Sequence, residues 1–441
     1  MYQYISLLAL LATTCLPAHA EMRPAPLNDA DFRQHTAEEV ALGQLLFWDP
    51  LLSGNRNISC GTCHHPRFGT GDGVSLALGE GGIGLGPERK PDPNDMPEQR
   101  IPRNAPALFN LGILDLKSVF YDGRIEADAT RPIGFRTPLE DEMVSGFASL
   151  LSAQSMFPVL SPDEMAGHYS ENEISKSVRT GQLTGPNGAW HKIAARVAAI
   201  PAYQQQFAAV YPDIGAGRAI DFTDISNAIA AFISVEWRSD SAPFDAWLRG
   251  QAPLPALAAK GADLFYGSAG CGACHTGPLL TDQGFHAMGT PQLGPGKAER
   301  FETNQRDLGR IRVTNRPEDA YAFRTPSLRN VTKTAPYGHA GSHADLRAFV
   351  MFHADPATGL DAYQPQAVLP AFTPAKDDWA ATNDPAERQA IKAAIRQPAH
   401  PLTADETTAI LAFLDSLTDS TALAGRLGIP ATVPSGLPID R

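Results

Sequence analysis

Two five-residue stretches carry the chemistry most directly readable from the chain: Cys60-Gly61-Thr62-Cys63-His64 and Cys271-Gly272-Ala273-Cys274-His275. Two thiols separated by two residues, with an imidazole next in line, suit covalent attachment of a porphyrin. One turn of backbone presents both sulfurs to the two vinyl groups, and the adjacent histidine reaches the iron. Two other chemistries use paired cysteines. A four-cysteine zinc site needs no histidine after each pair, and a redox dithiol needs none either. The immediate His64 and His275 therefore favour two covalently bound c-type haems, held through Cys60, Cys63, Cys271 and Cys274, with His64 and His275 as iron ligands.

The residues leading into each motif repeat as well. Ala41-Leu42-Gly43-Gln44-Leu45-Leu46-Phe47-Trp48-Asp49 precedes the first, and Lys260-Gly261-Ala262-Asp263-Leu264-Phe265-Tyr266-Gly267 precedes the second. Each is a short helical pattern ending in aromatics. The duplication predicts a mainly α fold of two cytochrome c-like haem domains. With 37 prolines and 38 glycines, long irregular loops should join the helices. Residues 69–106 form one such loop, long enough to suggest function or wrapping. Ile225, Ile229, Phe232 and Ile233 recur at helical spacing. Residues 239–255 read as an interdomain connection, which gives an N-terminal haem domain over 21–240 and a C-terminal one over 241–441. Thr403-Ala404-Asp405-Glu406 is a capping box opening an amphipathic helix. The proline-rich tail from Gly428 reads as a surface segment.

The first twenty residues read as an export signal, with an apolar run from Ile5 to Leu11 and an Ala18-His19-Ala20 cleavage pattern, although no Lys or Arg precedes the run. Cys15 offers a lipoprotein alternative, but Ala12-Thr13-Thr14 before it is a poor lipobox. No later segment is apolar enough to span a bilayer, so the expected location is the periplasm. The net charge of −12, without any cluster of Lys and Arg, argues against a nucleic-acid partner.

Beyond the two motifs, several stretches resemble the bacterial di-haem cytochrome c peroxidases and their methylamine-utilisation (MauG-like) relatives. They are Arg103-Asn104-Ala105-Pro106, Phe120-Tyr121-Asp122-Gly123-Arg124, Ser161-Pro162-Asp163-Glu164-Met165, Phe323-Arg324-Thr325-Pro326-Ser327-Leu328-Arg329-Asn330 and Thr334-Ala335-Pro336-Tyr337-Gly338-His339. The resemblance runs from about Ala41 to Thr418. It implies a peroxidase that reduces hydrogen peroxide at the N-terminal haem, with electrons relayed through the C-terminal haem from a small periplasmic donor protein. A MauG-like oxidase of a partner protein or small substrate is the alternative within the family. A plain two-haem electron carrier is the alternative outside it.

The resemblance also places residues. The distal acid falls on Glu164, a group able to move a proton between the peroxide oxygens. Ser161-x-x-Glu164 is equally a capping box, and Glu142 is the runner-up. The sixth ligand of the second iron, Met or Tyr in the named family types, falls on His353. It shares a helical face with Leu346, Phe349 and Val350; Met288 and Met351 are weaker alternatives. Tyr121 stands where the family commonly has Trp between the haems. Asn104, Thr334 and Pro336 match a calcium site of one side chain and two carbonyls. Arg124, Arg324 and Arg329 are read as anchors for propionates or interdomain carboxylates. The peroxidase type closes its first iron with a loop histidine, but residues 69–106 contain none, so an open first haem is expected.

Overall fold

The computed structural model describes residues 24–298 and 302–441; the export-signal reading of residues 1–20, Cys15 included, lies outside them. The architecture is mainly helical with little sheet, and each half is organised around one helix crossing. In the first half, α1 (Ala37–Trp48) crosses α2 (Phe222–Glu236). In the second, α3 (Ala256–Tyr266) crosses a helix over Ala404–Asp415, with a further helix over Leu346–Ala354 packed beside it. These two are α4 (Leu346–Ala354) and α5 (Ala404–Asp415).

The repeated glycines explain the repeated geometry. A Cβ on Gly43 would lie 1.8 Å from the carbonyl oxygen of Ala228, and one on Gly261 would lie 1.9 Å from that of Ala409. Only glycine permits so close an approach of two helices. One turn further on, Phe47 meets Phe232 with ring centroids 5.2 Å apart, and Phe265 meets Phe413 at 5.0 Å. The aromatics that end α1 and α3 then rest on the haem motifs: Trp48 packs on Gly61 and Tyr266 on Gly272, each leaving no room for a Cβ. The capping box at Thr403 forms as read, with the Glu406 N–H donated to Thr403 Oγ1 at 3.2 Å and the Thr403 N–H returned to Glu406 Oε2 at 2.9 Å.

Three small antiparallel sheets pin the loops. They pair Gly82–Ile83 with Lys90–Pro91, Ser118–Val119 with Ile125–Ala127 and Phe135–Arg136, and Phe285–His286 with Phe323–Arg324. The loop over 69–106 wraps the second half: Ser75 Oγ donates to Gly341 O at 2.6 Å, and Arg100 pairs with Asp378 at 2.8 Å. Arg103 bridges the halves, donating to Asp307 at 2.7 and 2.8 Å while lying 2.8 Å from Asp122.

Two segments differ from their reading. Residues 239–255 are not a simple connection: they contain a helix over Pro243–Leu248, and its Asp245 receives Arg329 at 2.6 and 2.9 Å with both side chains fully buried. The C-terminal tail is not a loose surface strand. Val433 and Ala422 sit in the first core, Glu236 accepts N–H groups from Arg426, Leu427 and Gly428, and Ser435 bonds Asp49. Thr62, inside the first motif, donates to Asp440 at 2.6 Å.

Candidate functional site

Both motifs fold into a single turn that ends on its histidine. His64 Nδ1 lies 3.0 Å from Thr70 O, and His275 Nδ1 lies 2.9 Å from Leu280 O. A carbonyl can only accept, so Nδ1 carries the proton in each ring and Nε2 is left bare as the metal-binding atom. Burial lowers both imidazole pKa values, which keeps these ligands neutral. The four cysteines form no disulfide. Burial pushes the Cys60 and Cys63 thiols up to about 12 and the Cys271 thiol up to about 11.

A cavity of about 450 Å³ opens beside the second motif. Cys271, Cys274 and His275 form one wall and His353, from α4, faces them. The rings of His275 and His353 lie 6.2 Å apart, centroid to centroid. A metal bonded at about 2 Å to each of two opposed imidazole nitrogens, each about 1 Å from its ring centre, needs about 6 Å between the rings. The space therefore fits one iron between them. Burial, followed by the neighbouring His275, His286 and His343, lowers the His353 pKa to about 3. Unlike the two motif histidines, His353 has no hydrogen-bond partner at its buried Nδ1. Met288 lines the same cavity, whereas Met351 is half exposed on the outer face of α4.

The polar lining also fits a haem. Arg324, half-buried, has no carboxylate partner among the described residues; its Nε donates to Phe120 O at 3.3 Å, and burial lowers its pKa. His339 stacks on Phe323 at 3.7 Å with both ring nitrogens buried and unpartnered. Buried polar groups without partners, such as the His339 nitrogens, are rare in folded proteins, and haem propionates would pair with His339 and Arg324. Of the other arginines, Arg329 is committed to Asp245 inside the second half, and Arg124 to Asp122 at 3.1 Å.

Tyr121, Asn104, Thr334 and Pro336 all line this cavity. The Asn104 amide nitrogen donates to Val74 O at 2.8 Å. That commits the nitrogen and leaves the side-chain oxygen as the atom a cation could use, as the calcium reading requires. Burial pushes the Tyr121 hydroxyl up to about 12. Asp72, which the sequence did not single out, lines the cavity with Tyr121; burial raises its carboxyl to about 7, and its Oδ2 has no partner.

Glu164 sits in a wide π-type turn over Pro162–Ala166. Ser161 gives that turn no side-chain cap, so the capping alternative is not adopted. Burial raises the Glu164 pKa, opposed by Lys297 and Arg124. Lys297 is a second residue the sequence did not flag: burial, then Arg124 and Arg103, lowers its pKa to about 8. Glu142 lies exposed in a short turn over Glu140–Glu142, away from any enclosed space. Cys274, Asp282 and His286 also cluster, with His286 Nε2 2.8 Å from Asp282. Thioether formation at Cys274 would remove the sulfur as a thiolate ligand.

Two duplicated lobes, each presenting a Cys-x-x-Cys-His turn with a bare Nε2, define the two-haem c-type class. Residues 37–253 match the family described as di-haem cytochrome c peroxidase. The chain is 31% identical to the methylamine utilization protein MauG of Methylorubrum extorquens (strain AM1) over 74% of its own length and 71% of the relative's. It is 29% identical to a cytochrome c551 peroxidase of Pseudomonas aeruginosa (strain PAO1) over 75% and 76%. Its fold matches the crystal structure of a MauG-like protein associated with microbial copper homeostasis, with a TM-score of 0.56 and 27% identity over 93% and 96% of the two chains. The chain belongs to the di-haem cytochrome c peroxidase family, whose members are oxidoreductases carrying two c-type haems. Among the described residues no helix is long and apolar enough to cross a membrane.

Proposed function

We propose that this protein is a periplasmic peroxidase that takes hydrogen peroxide at the haem held by Cys60, Cys63 and His64. A second haem, which Cys271, Cys274, His275 and His353 would hold, would supply it with electrons. When bound, the haems supply the redox chemistry: two electrons and two protons convert one peroxide to two waters. The chain's own residues manage protons and access. Glu164, in its half-buried turn, accepts the proton of one peroxide oxygen and returns it to the other, so that water leaves. Its raised pKa brings it nearer to neutrality, where such exchange is most efficient. Lys297 stands as the positive charge beside Glu164. Tyr121 is the redox-active side chain on the path between the haems, and Asp72, which lines the same cavity, takes up its proton. Asn104, Thr334 and Pro336 hold a calcium ion in the same cavity.

The observation that carries this reading is the pairing of a half-buried, charge-flanked Glu164 with a cavity beside the second motif whose two imidazoles are spaced for one iron. An electron carrier has no use for the former. A MauG-like oxidation of a partner protein is favoured by one specific feature: the loop over 69–106 offers no histidine to close the first iron. Mixing the fully oxidised protein with a single equivalent of hydrogen peroxide tests these readings. A haem spectral change on mixing supports the oxidase. A change only after reduction by one electron supports the reductively activated peroxidase. Inertness in both states would leave the electron carrier and refute the proposal.

A further inference from the structure

Away from the haem cavity, three ionisable side chains meet behind the turn that carries Glu164, with a fourth close by. Asp95 Oδ1 lies 3.4 Å from His168 Nδ1, and Glu171 Oε2 lies 4.0 Å from it. One donor atom from each of the three falls within 4.8 Å of the others. The fourth group is Glu80, which is 1% exposed. Its Oε1 accepts the amides of Asn55 and Asn57 at 2.8 and 2.7 Å, while Oε2 is buried with no partner. Asn55 donates to both Glu80 and Glu171, so the two carboxylates sit side by side. Burial first, and then the negative charges of Glu171 and Asp95, raise the Glu80 pKa.

Two independent features ask for a cation. A carboxylate oxygen buried without a donor is costly and uncommon, and Glu80, which shares the Asn55 amide with Glu171, holds one. Three carboxylates also converge while, among the described residues, no Lys or Arg ion pair reaches any of them; His168 is their only basic neighbour, and it is itself nine-tenths buried. The surrounding backbone binds the cluster to the distal turn. Glu80 N–H donates to Asp163 O at 2.9 Å, Gly54 N–H to Met165 O at 2.7 Å, and the Asn172 amide to Ala166 O at 2.9 Å.

We propose that Asp95, His168 and Glu171 bind one divalent transition cation of the manganese or zinc type, with the buried carboxylate of Glu80 adding negative charge beside them, and that the ion cross-links the loops gripping the Glu164 turn. An imidazole beside carboxylates favours such an ion over calcium, which takes oxygen donors alone. This site is separate from the calcium position at Asn104, which lies in the haem cavity.

The test uses the two-haem protein treated with chelator and then titrated with manganese(II) chloride, free ion being followed by its electron paramagnetic resonance signal. The expected result is one tightly held ion per chain and a rise in Tm of about 3 °C at saturation. His168→Ala and Glu171→Gln should lose the ion and, with it, the rise in Tm that manganese gives the wild type. Asn104→Ala should keep it. Glu80→Gln separates a cation site from a merely repulsive cluster: it should raise Tm in chelator, where three like charges crowd, and lower it in saturating manganese. The proposal is overturned if wild type holds no manganese. It is also overturned if His168→Ala and Glu171→Gln hold as much as wild type, if Asn104→Ala alone abolishes binding, or if Glu80→Gln raises Tm equally with and without the ion.

Discussion

Replacing Arg103 by Met deletes a charge at the join between the two halves while keeping most of the side chain's bulk. The guanidinium serves two carboxylates, Asp307 and Asp122, and all three side chains are less than a tenth exposed. Removing one partner of a buried pair costs about 3–5 kcal/mol, because a charge is left uncompensated. Two stranded carboxylates put this case at the upper end, about 5 kcal/mol, which for a chain of this length lowers Tm by about 6 °C. The pH dependence decides whether the ion pairs are responsible. Burial alone would raise the Asp307 pKa, but the charge and hydrogen bonds of Arg103 more than reverse it and hold the carboxyl well below the usual range. A depressed folded-state pKa gives stability that is complete above the unfolded value, near about pH 4, and is lost as pH falls through the folded one. In the variant, burial outweighs the lesser opposition of His339 and the Gly309 N–H, and the sign inverts: the Asp307 contribution is greatest below about pH 4 and is lost as pH rises. Urea unfolding of both proteins, followed by tryptophan fluorescence across that range, should show a stability gap that is widest near neutrality and shrinks on acidification. A gap that is the same at both ends of the range refutes the reasoning.

Other expectations follow from the same geometry. Glu164→Gln should lower the second-order rate constant for peroxide by about 10²–10⁴ while leaving the resting spectrum of the second haem unchanged; full retention of the rate would remove Glu164 from the proton path. His353→Ala should convert the second haem from a low-spin to a high-spin spectrum, since the cavity places His353 opposite His275 at the spacing of one iron. A spectrum that stays low-spin would pass the ligand role to another group, with Met288 first in line. Gly43→Ala drives a methyl group into the Ala228 carbonyl and should destabilise the first half by about 3 kcal/mol in chemical denaturation; a loss below about 1 kcal/mol would mean that the helices separate freely.

What could be read in advance was whatever the chain keeps local. Each motif holds its two sulfurs and its histidine within five residues, so covalent chemistry and ligand are visible together. His353 was placed by the family resemblance rather than by its helical face, although Leu346, Phe349 and Val350 share that face and all four line the same cavity. Glu164 and Glu142 could not be separated by pattern alone, since each precedes Met; one lies in a half-buried turn and the other in solvent. Residues 239–255 read as a connection because the partner that buries Asp245 is Arg329, 84 residues further on. The same holds for Lys297, Asp72 and His168. Each draws its meaning from neighbours contributed by distant loops, and no periodicity marks such convergence. Small-residue spacing was informative in one respect: Gly43 and Gly261 recur at the same place before the two motifs, and both prove to be points of helix contact.

The tail that returns to the first half bears on the order in which the molecule can be finished. Thr62 in the first haem motif donates to Asp440, and Asp49 at the end of α1 receives Ser435. A chain delivered from its N-terminus thus presents its first attachment motif early, yet the contacts that close over that motif arrive only with residues 435–440. Until then the Cys60–Cys63 turn stays uncovered on the tail's side, accessible to the machinery that must insert a porphyrin and join it to two sulfurs. The half that emerges first is the half that is sealed last.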